Sequence, residues 1–342
     1  MKPVESRETR ADLCRSLALF GVVLIHACGA LLQPWGPYAL ADWLRAANVL
    51  DSIARCSVPL FVMLSGALIL QPGMAPIDLA QIGRRLIRVT VPLLLWSSIY
   101  LLYQAHQTAT PPRWSSLLSQ PAMYHLWFVY MIIGLYALLP LLQGAFVHLL
   151  DKPGLQRYGL AIWFMVVSLP IYWTLPGLNL LHLNNLPGYG GYFVMGALLK
   201  HARPARPSGW VWLLAFVASV LVTAWLTQAF SSQAGRLDET AYQYFSPNIV
   251  LASMAAFILI NRITVPPIMA PTLARIADMA FPVFFVHPLI LGALASSSII
   301  VGLAAQAPGS SVVLMLSIVT FAGSLAVAVV LRWLPFSGRL LG

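Results

Sequence analysis

The sequence predicts an all-α polytopic membrane protein, a single domain of about ten transmembrane helices with both termini in the cytoplasm. Three observations predict it. Of 342 residues, 59% are hydrophobic and only 9% are charged, where ordinary globular domains carry about 25% charged residues. The mean hydropathy is +0.80. Ten apolar stretches approach the roughly 20 residues that a helix needs to cross the hydrocarbon while satisfying its own backbone. Finally, the Lys and Arg residues are sorted to alternate ends of those stretches, as the positive-inside pattern requires. Soluble enzymes, secreted mini-domains and classical DNA-binding proteins are excluded by this composition.

The first stretch, 13–33, holds Arg15 and His26 and is followed by no small-residue cleavage pattern, so a permanent span is expected rather than a signal peptide. The second, 49–70, carries Asp51 and Arg55 at i and i+4, the favourable orientation for an internal ion pair. Arg84, Arg85 and Arg88 lead into the third, 89–106. The fourth and fifth are 125–147 and 158–175. The sixth, 186–200, is short and contains Gly188, Gly190, Gly191 and Gly196, which favour close packing or a broken helix beside a cavity. The seventh and eighth are 210–230 and 246–261. Arg275 and Asp278, at i and i+3, open the ninth, 276–297, and the tenth is 311–331. Pro59, Pro92, Pro140, Pro170 and Pro282 lie within spans and predict kinks.

With the N-terminus inside, 16 of the 20 basic residues fall at inner segments: Lys2, Arg7, Arg10, Arg15, Arg84, Arg85, Arg88, Lys152, Arg157, Lys200, Arg203, Arg206, Arg262, Arg275, Arg332 and Arg339. Arg45, Arg113 and Arg236 are outside, and Arg55 is within a span. The net charge of +10 is therefore mainly topology, and no nucleic-acid partner is expected. Cys14, Cys28 and Cys56 form neither a disulfide framework nor a zinc spacing, and no metal site is expected.

Ionisable residues inside lipid are costly and are functional candidates for that reason. His26 follows Arg15 by eleven residues, about 16 Å along a helix and about three full turns. The two side chains therefore share a face, with the imidazole placed near mid-bilayer. An arginine at the rim with an imidazole deeper on the same face suits a donor with an anionic head and a long thin arm. Arg85 and Arg88, at i and i+3, can grip two phosphate oxygens between them.

The spacing Arg15-x10-His26 preceded by Asp12, together with Arg85-x-x-Arg88, resembles the acyltransferase-3 family of integral membrane acyltransferases. The run from Ser57 to Ser65-Gly66 is similar to that family's second span. His125-Leu-Trp127-Phe-Val-Tyr130, followed by Gly134, Tyr136 and Pro140, is similar to another family segment, as is Phe284-Phe-Val-His287-Pro288. Within the family, the chain looks most like the bacterial O-acetyltransferases of surface polysaccharides, such as that of enterobacterial common antigen. The resemblance implies a multi-pass protein of the bacterial inner membrane. It would take an acetyl or other acyl group from cytoplasmic acyl-CoA, as a co-substrate rather than a bound cofactor, and deliver it to a glycan or lipid-linked sugar hydroxyl across the bilayer. It further implies His26 as the catalytic residue and Arg15, Arg85 and Arg88 as the acyl-CoA-binding residues.

A neutral imidazole suits removal of a hydroxyl proton during acyl transfer, because its pKa lies near working pH. Direct transfer with His26 as base is the preferred route, and a covalent acyl-histidine is the runner-up. Asp12 is too far along the helix to touch His26, so any orienting partner must come from another span; Ser65, His125, His287 and Asp278 are the candidates. Asp12 is kept as a supporting residue, and His125 with Trp127 as a place where an acceptor sugar can stack. His106, His148, His182 and His201 receive no role. A cavity is expected to open near Arg85 and reach His26. The competing reading is a transporter or flippase of an anionic or lipid-linked glycan, with His26 as a proton relay.

Overall fold

The computed structural model describes residues 8–34, 36–118, 120–173, 188–201 and 207–333. Lys2, Arg7, His182, Arg203, Arg206, Arg339 and residues 186–187 of the sixth expected span lie outside the described residues. Among the described residues the regular elements are helical, apart from one isolated bridge between Leu32 and Tyr38. In chain order they are α1 (Thr9–Ala30), α2 (Leu40–Ala46), α3 (Asn48–Ala54), α4 (Ser57–Ile69), α5 (Leu79–Thr108), α6 (Trp127–Ala137), α7 (Leu139–Leu149) and α8 (Pro153–Val167). After residues 174–187 follow α9 (Gly188–His201), α10 (Gly209–Ala234), α11 (Pro247–Arg262), α12 (Ala270–Asp278), α13 (Ala280–Ala295), α14 (Ser298–Gln306) and α15 (Gly309–Leu331).

Seven helical stretches among the described residues are long and apolar enough to cross a membrane, and two bent helix pairs bring the number to nine. The remaining expected span corresponds to α9, whose 14 described residues are too few to meet that length. The chain is an all-α multi-pass membrane protein. Both bent pairs turn by 66°, at α6–α7 and α12–α13. In each, a proline follows the break, Pro140 and Pro282, where the missing N–H costs nothing because a first-turn donor has no intrahelical partner. Pro59 likewise stands just past the interruption between α3 and α4, and Pro170 lies in the 3-10 turn after α8. Pro92 sits inside one continuous 30-residue helix, α5.

α1 is the centre of the bundle. Cys14, Ala18, Leu19, Val22, Val23, Ala27 and Cys28 are buried on it, and it packs against α3, α4, α11, α12, α13 and α15. The tightest approach elsewhere joins α4 to α9. A Cβ on Gly196 would run into the Met63 backbone, and one on Gly66 into the Phe193 backbone, which explains the glycine content of this short helix. Large apolar side chains such as Leu94, Leu141, Leu214 and Trp225 face outward, as lipid contact allows.

Two buried asparagines are paired across helices. Asn48 Nδ2 donates to Ala224 O (2.9 Å) and Tyr242 OH to Asn48 Oδ1 (2.6 Å). Asn248 Nδ2 donates to Thr223 Oγ1 (2.7 Å), while Tyr172 OH donates to Asn248 Oδ1 (2.7 Å). At one end of the bundle Lys200 pairs with Glu8 (2.6 Å), Arg10 donates to Ile263 O (3.1 Å), Arg262 to Pro207 O (2.7 Å) and Arg332 to Asp278 O (2.6 Å). Basic residues far apart in sequence thus gather at one end, as the sorted charges of the spans require.

Gly196→Ala should overpack the α4–α9 contact by about 1–3 kcal/mol and lower the unfolding midpoint in detergent. Gly134→Ala, where a Cβ meets open space, should leave the midpoint unchanged or slightly raised.

Candidate active site

The polar side chains of α1 define two levels, and other spans supply matching residues at each. Arg15 and His26 are eleven residues apart on α1, and Tyr136 and His125 are eleven apart on the fourth span. Tyr136 lies within electrostatic reach of Arg15, Arg85 and Arg88, whereas His125 lies against His26, with ring centroids 6.5 Å apart. The two spans therefore run antiparallel with these pairs in register. α5 repeats the spacing: Arg88 is at the first level, and Tyr100, twelve residues on, has its ring 5.4 Å from that of His125. The levels are separated by about 16 Å of helix rise.

At the first level the three arginines expected at the donor come together from α1 and α5. Arg15 also faces Asp12 at 3.7 Å, so Asp12 acts on Arg15 and not on His26. Arg85 is half-buried and Arg88 exposed. Tyr136, within reach of their charges, was assigned no role from sequence beyond its place in the family-like segment.

At the second level His26 and His287 lie edge to edge in nearly one plane, with ring planes within 3° and centroids 5.0 Å apart, and His26 Nδ1 is 2.7 Å from His287 Nε2. Of the four candidate partners for His26, His287 makes the hydrogen bond. Ser65 instead donates to Phe61 O (2.8 Å) within its own helix and is not among the residues lining the cavity beside His26. Asp278, nine residues before His287 and beside Arg332, belongs to the arginine end.

The bonds fix the proton positions of the neutral pair. His287 Nδ1 faces Val283 O at 3.2 Å, and a carbonyl can only accept, so Nδ1 carries the hydrogen. His287 Nε2 is then the acceptor and His26 Nδ1 the donor. His26 Nε2 remains with a free lone pair, the state a general base needs. The same arrangement holds the reactive tautomer of a histidine wherever its second nitrogen is engaged.

His26 is only four residues from the end of α1, and Tyr124 and His125 beside it open the fourth span. His26 thus lies toward the end of α1 opposite Arg15. The cavity that touches His26 does not reach Arg85. The space beside His26 measures about 20 Å³ and is lined by Val22, Phe61, His125, Trp127, Tyr244 and Phe284 among others, with no arginine. Phe128 packs between Phe61 (5.9 Å) and Phe284 (5.7 Å), closing the aromatic wall. Trp127 stacks on Tyr244 at 5.8 Å, and Tyr192 OH holds the Tyr244 carbonyl at 2.5 Å. Neither Tyr124 nor Tyr244 carried a signal in sequence, as both reach His26 only through tertiary packing.

On the α3 side, the Asp51–Arg55 pair forms as expected, with Nε–Oδ1 and Nη2–Oδ2 both at 2.8 Å. It gains two partners that spacing does not show: Glu239 at 3.3 Å and the face of Tyr242, 4.1 Å from the guanidinium. The turn carrying Glu239 is set by Asp238, which accepts from Thr240 N–H (2.9 Å); hydrogen bonding from the Thr240 side chain, and then from its N–H, holds the Asp238 carboxyl below its usual pKa. Among the described residues no group of His, Cys, Asp and Glu can hold a metal ion.

Residues 9–333 match the family model described as an acyltransferase domain. The chain belongs to the acyltransferase-3 family. No curated protein matches it, and no solved structure does; the match is to the family as a whole and not to its polysaccharide O-acetyltransferases in particular. The protein is a membrane acyltransferase, and its two levels of polar residues have to be read with that chemistry in mind.

Asp51→Ala in this acyltransferase should cost about 3–5 kcal/mol, because it strips a buried guanidinium of its main counter-charge. Asp42→Ala, which removes the exposed partner of Arg45, should cost less than about 1 kcal/mol. Thermal unfolding in detergent measures both.

Proposed function

We propose that the protein takes an acetyl or similar short acyl group from cytoplasmic acyl-CoA and delivers it to a hydroxyl of a surface or lipid-linked glycan on the periplasmic side of a bacterial inner membrane. The observation that supports this most is the pairing of levels. Arg15, Arg85 and Arg88 offer three permanent cations at one end, fit for the phosphates of the donor's head. About 16 Å along the same helix stands an imidazole with a free lone pair. A phosphate-headed thioester with a long thin arm spans such a distance.

In the step that follows, the acceptor hydroxyl oxygen attacks the thioester carbonyl carbon while its proton passes to His26 Nε2. The C–S bond then breaks, the CoA thiolate leaves, and the proton from His26 returns the free thiol. His26 Nδ1–H stays bonded to His287, so the imidazolium that forms is held in place. The aromatic wall of Phe61, Phe128 and Phe284 has to part to admit the donor's arm, and it excludes water when closed. A proton-relay reading of His26 finds no onward path in the hydrogen bonds, which end at Val283 O.

Inverted membrane vesicles with labelled acetyl-CoA test the proposal. Label should appear on a glycan or lipid-linked sugar, and His26→Ala should reduce the rate by about 10²–10⁴-fold, the range for a general base. Transfer at the wild-type rate by His26→Ala would remove the base assignment. Loss of both Arg85 and Arg88 should raise the donor KM about tenfold or more, since each charge-assisted hydrogen bond contributes about 1.5–3 kcal/mol; an unchanged KM would refute the donor site while leaving the enzyme class intact.

A further inference from the structure

Among the described residues, nine buried side-chain N and O atoms have no hydrogen-bond partner, and only His125 contributes two of them. Its ring is 2% exposed. A neutral imidazole has one N–H and one lone pair, and each costs about 1–3 kcal/mol when buried unpaired. Neither nitrogen has a partner in this packing: Tyr100 OH is committed to Phe285 O at 2.6 Å, His26 Nδ1 and His287 Nε2 are bonded to each other, and Phe284, 5.1 Å away, presents only hydrocarbon. Tyr100 and Tyr124 meet the ring nearly edge-on, 5.4 and 5.7 Å away, so its orientation is fixed while its nitrogens are left unused. His125 and His26 line the same small cavity.

We propose that His125 binds the carbonyl oxygen of the acyl group through its ring N–H and stabilises the negative charge that develops there during transfer. The proposal rests on the acyl-transfer reading above. As the acceptor oxygen adds to the carbonyl carbon and its proton moves to His26 Nε2, the C=O electron pair shifts onto the oxygen that His125 holds. The pair returns to re-form the carbonyl as the C–S bond breaks, giving the ester and, with the proton from His26, free CoA thiol. The 6.5 Å between the His26 and His125 ring centroids suits a reacting carbon about 3 Å from a nitrogen of each. A donor fixed in a dry site and satisfied only when the substrate arrives is the arrangement that favours the transition state over the resting protein.

The test uses the full-length protein in detergent and in membrane vesicles, with His125→Phe and His125→Gln. Acetyl-CoA labelled with ¹³C at the carbonyl is the probe, read by isotope-edited infrared difference spectra without any acceptor. The carbonyl stretch should shift to lower frequency on wild-type protein, remain near its solution position on His125→Phe, and shift in part on His125→Gln, which keeps an N–H. In vesicles, kcat should fall about 10²–10³-fold for His125→Phe, the loss typical of one oxyanion donor, with little change in donor KM, and His125→Gln should recover part of it. His125→Phe should unfold at the wild-type temperature or above, because an apolar ring removes two unsatisfied atoms; a purely structural histidine would give a lower midpoint. An unshifted carbonyl on wild-type protein, or wild-type kcat for His125→Phe, overturns the proposal. If His26→Ala keeps full transfer while the carbonyl shift is seen, the base assignment fails and the carbonyl site stands.

Discussion

The hydrogen bond from His26 to His287 is the constraint around which the bundle is arranged. In lipid or in a dry helix interior, a polar ring must find its partner within the protein. α1 supplies one imidazole and α13 the other, so the two helices are fixed in rotation and in height relative to each other. α13 can meet α1 at this height because the ninth span is broken by 66° before Pro282. The fourth span, also broken, brings His125 to the same level. The kinks thus serve to align polar residues that straight helices of these lengths would place elsewhere.

The same logic divides the molecule into ends with different chemistry. Near Arg15 the charges are cationic and partly open, and Asp12 is the acid paired there with Arg15. Around His26 the nearest rings are uncharged and aromatic side chains enclose them, with Arg55 within electrostatic reach. The donor's head and its reactive end would meet distinct environments at these two levels. Permanent charge can be held at the rim, where water screens it; the proton-transfer chemistry is kept where few other acceptors compete. The Asp51–Arg55–Glu239 group forms a separate polar cluster on the side of α3, in which a buried cation is satisfied by two carboxylates and a tyrosine face.

What was legible in the sequence follows from what one helix fixes alone. The eleven-residue step from Arg15 to His26 and the i, i+4 step from Asp51 to Arg55 are properties of helical periodicity, and both hold in the structure. The spans were legible because hydrophobic length is local. Contacts between spans were not. Periodicity says which face His26 occupies but not which neighbour crosses it, so His287 was one of four candidates, Tyr136 was given no role, and Tyr124 and Tyr244 were not named. Glu239 reaches Arg55 across 184 residues, a distance no spacing rule covers.

The central claim is that His287 fixes His26 as the tautomer with a hydrogen on Nδ1 and a bare Nε2. Nitrogen-15 NMR of histidine-labelled protein in detergent tests it most directly, with the His26 signals assigned by their disappearance in His26→Gln. The account predicts a protonated Nδ1 and an unprotonated Nε2 on His26, and a protonated Nδ1 on His287. A His26 ring protonated at Nε2 with a bare Nδ1 would contradict it, because the nitrogen offered to the acceptor hydroxyl would then be a donor and not a base.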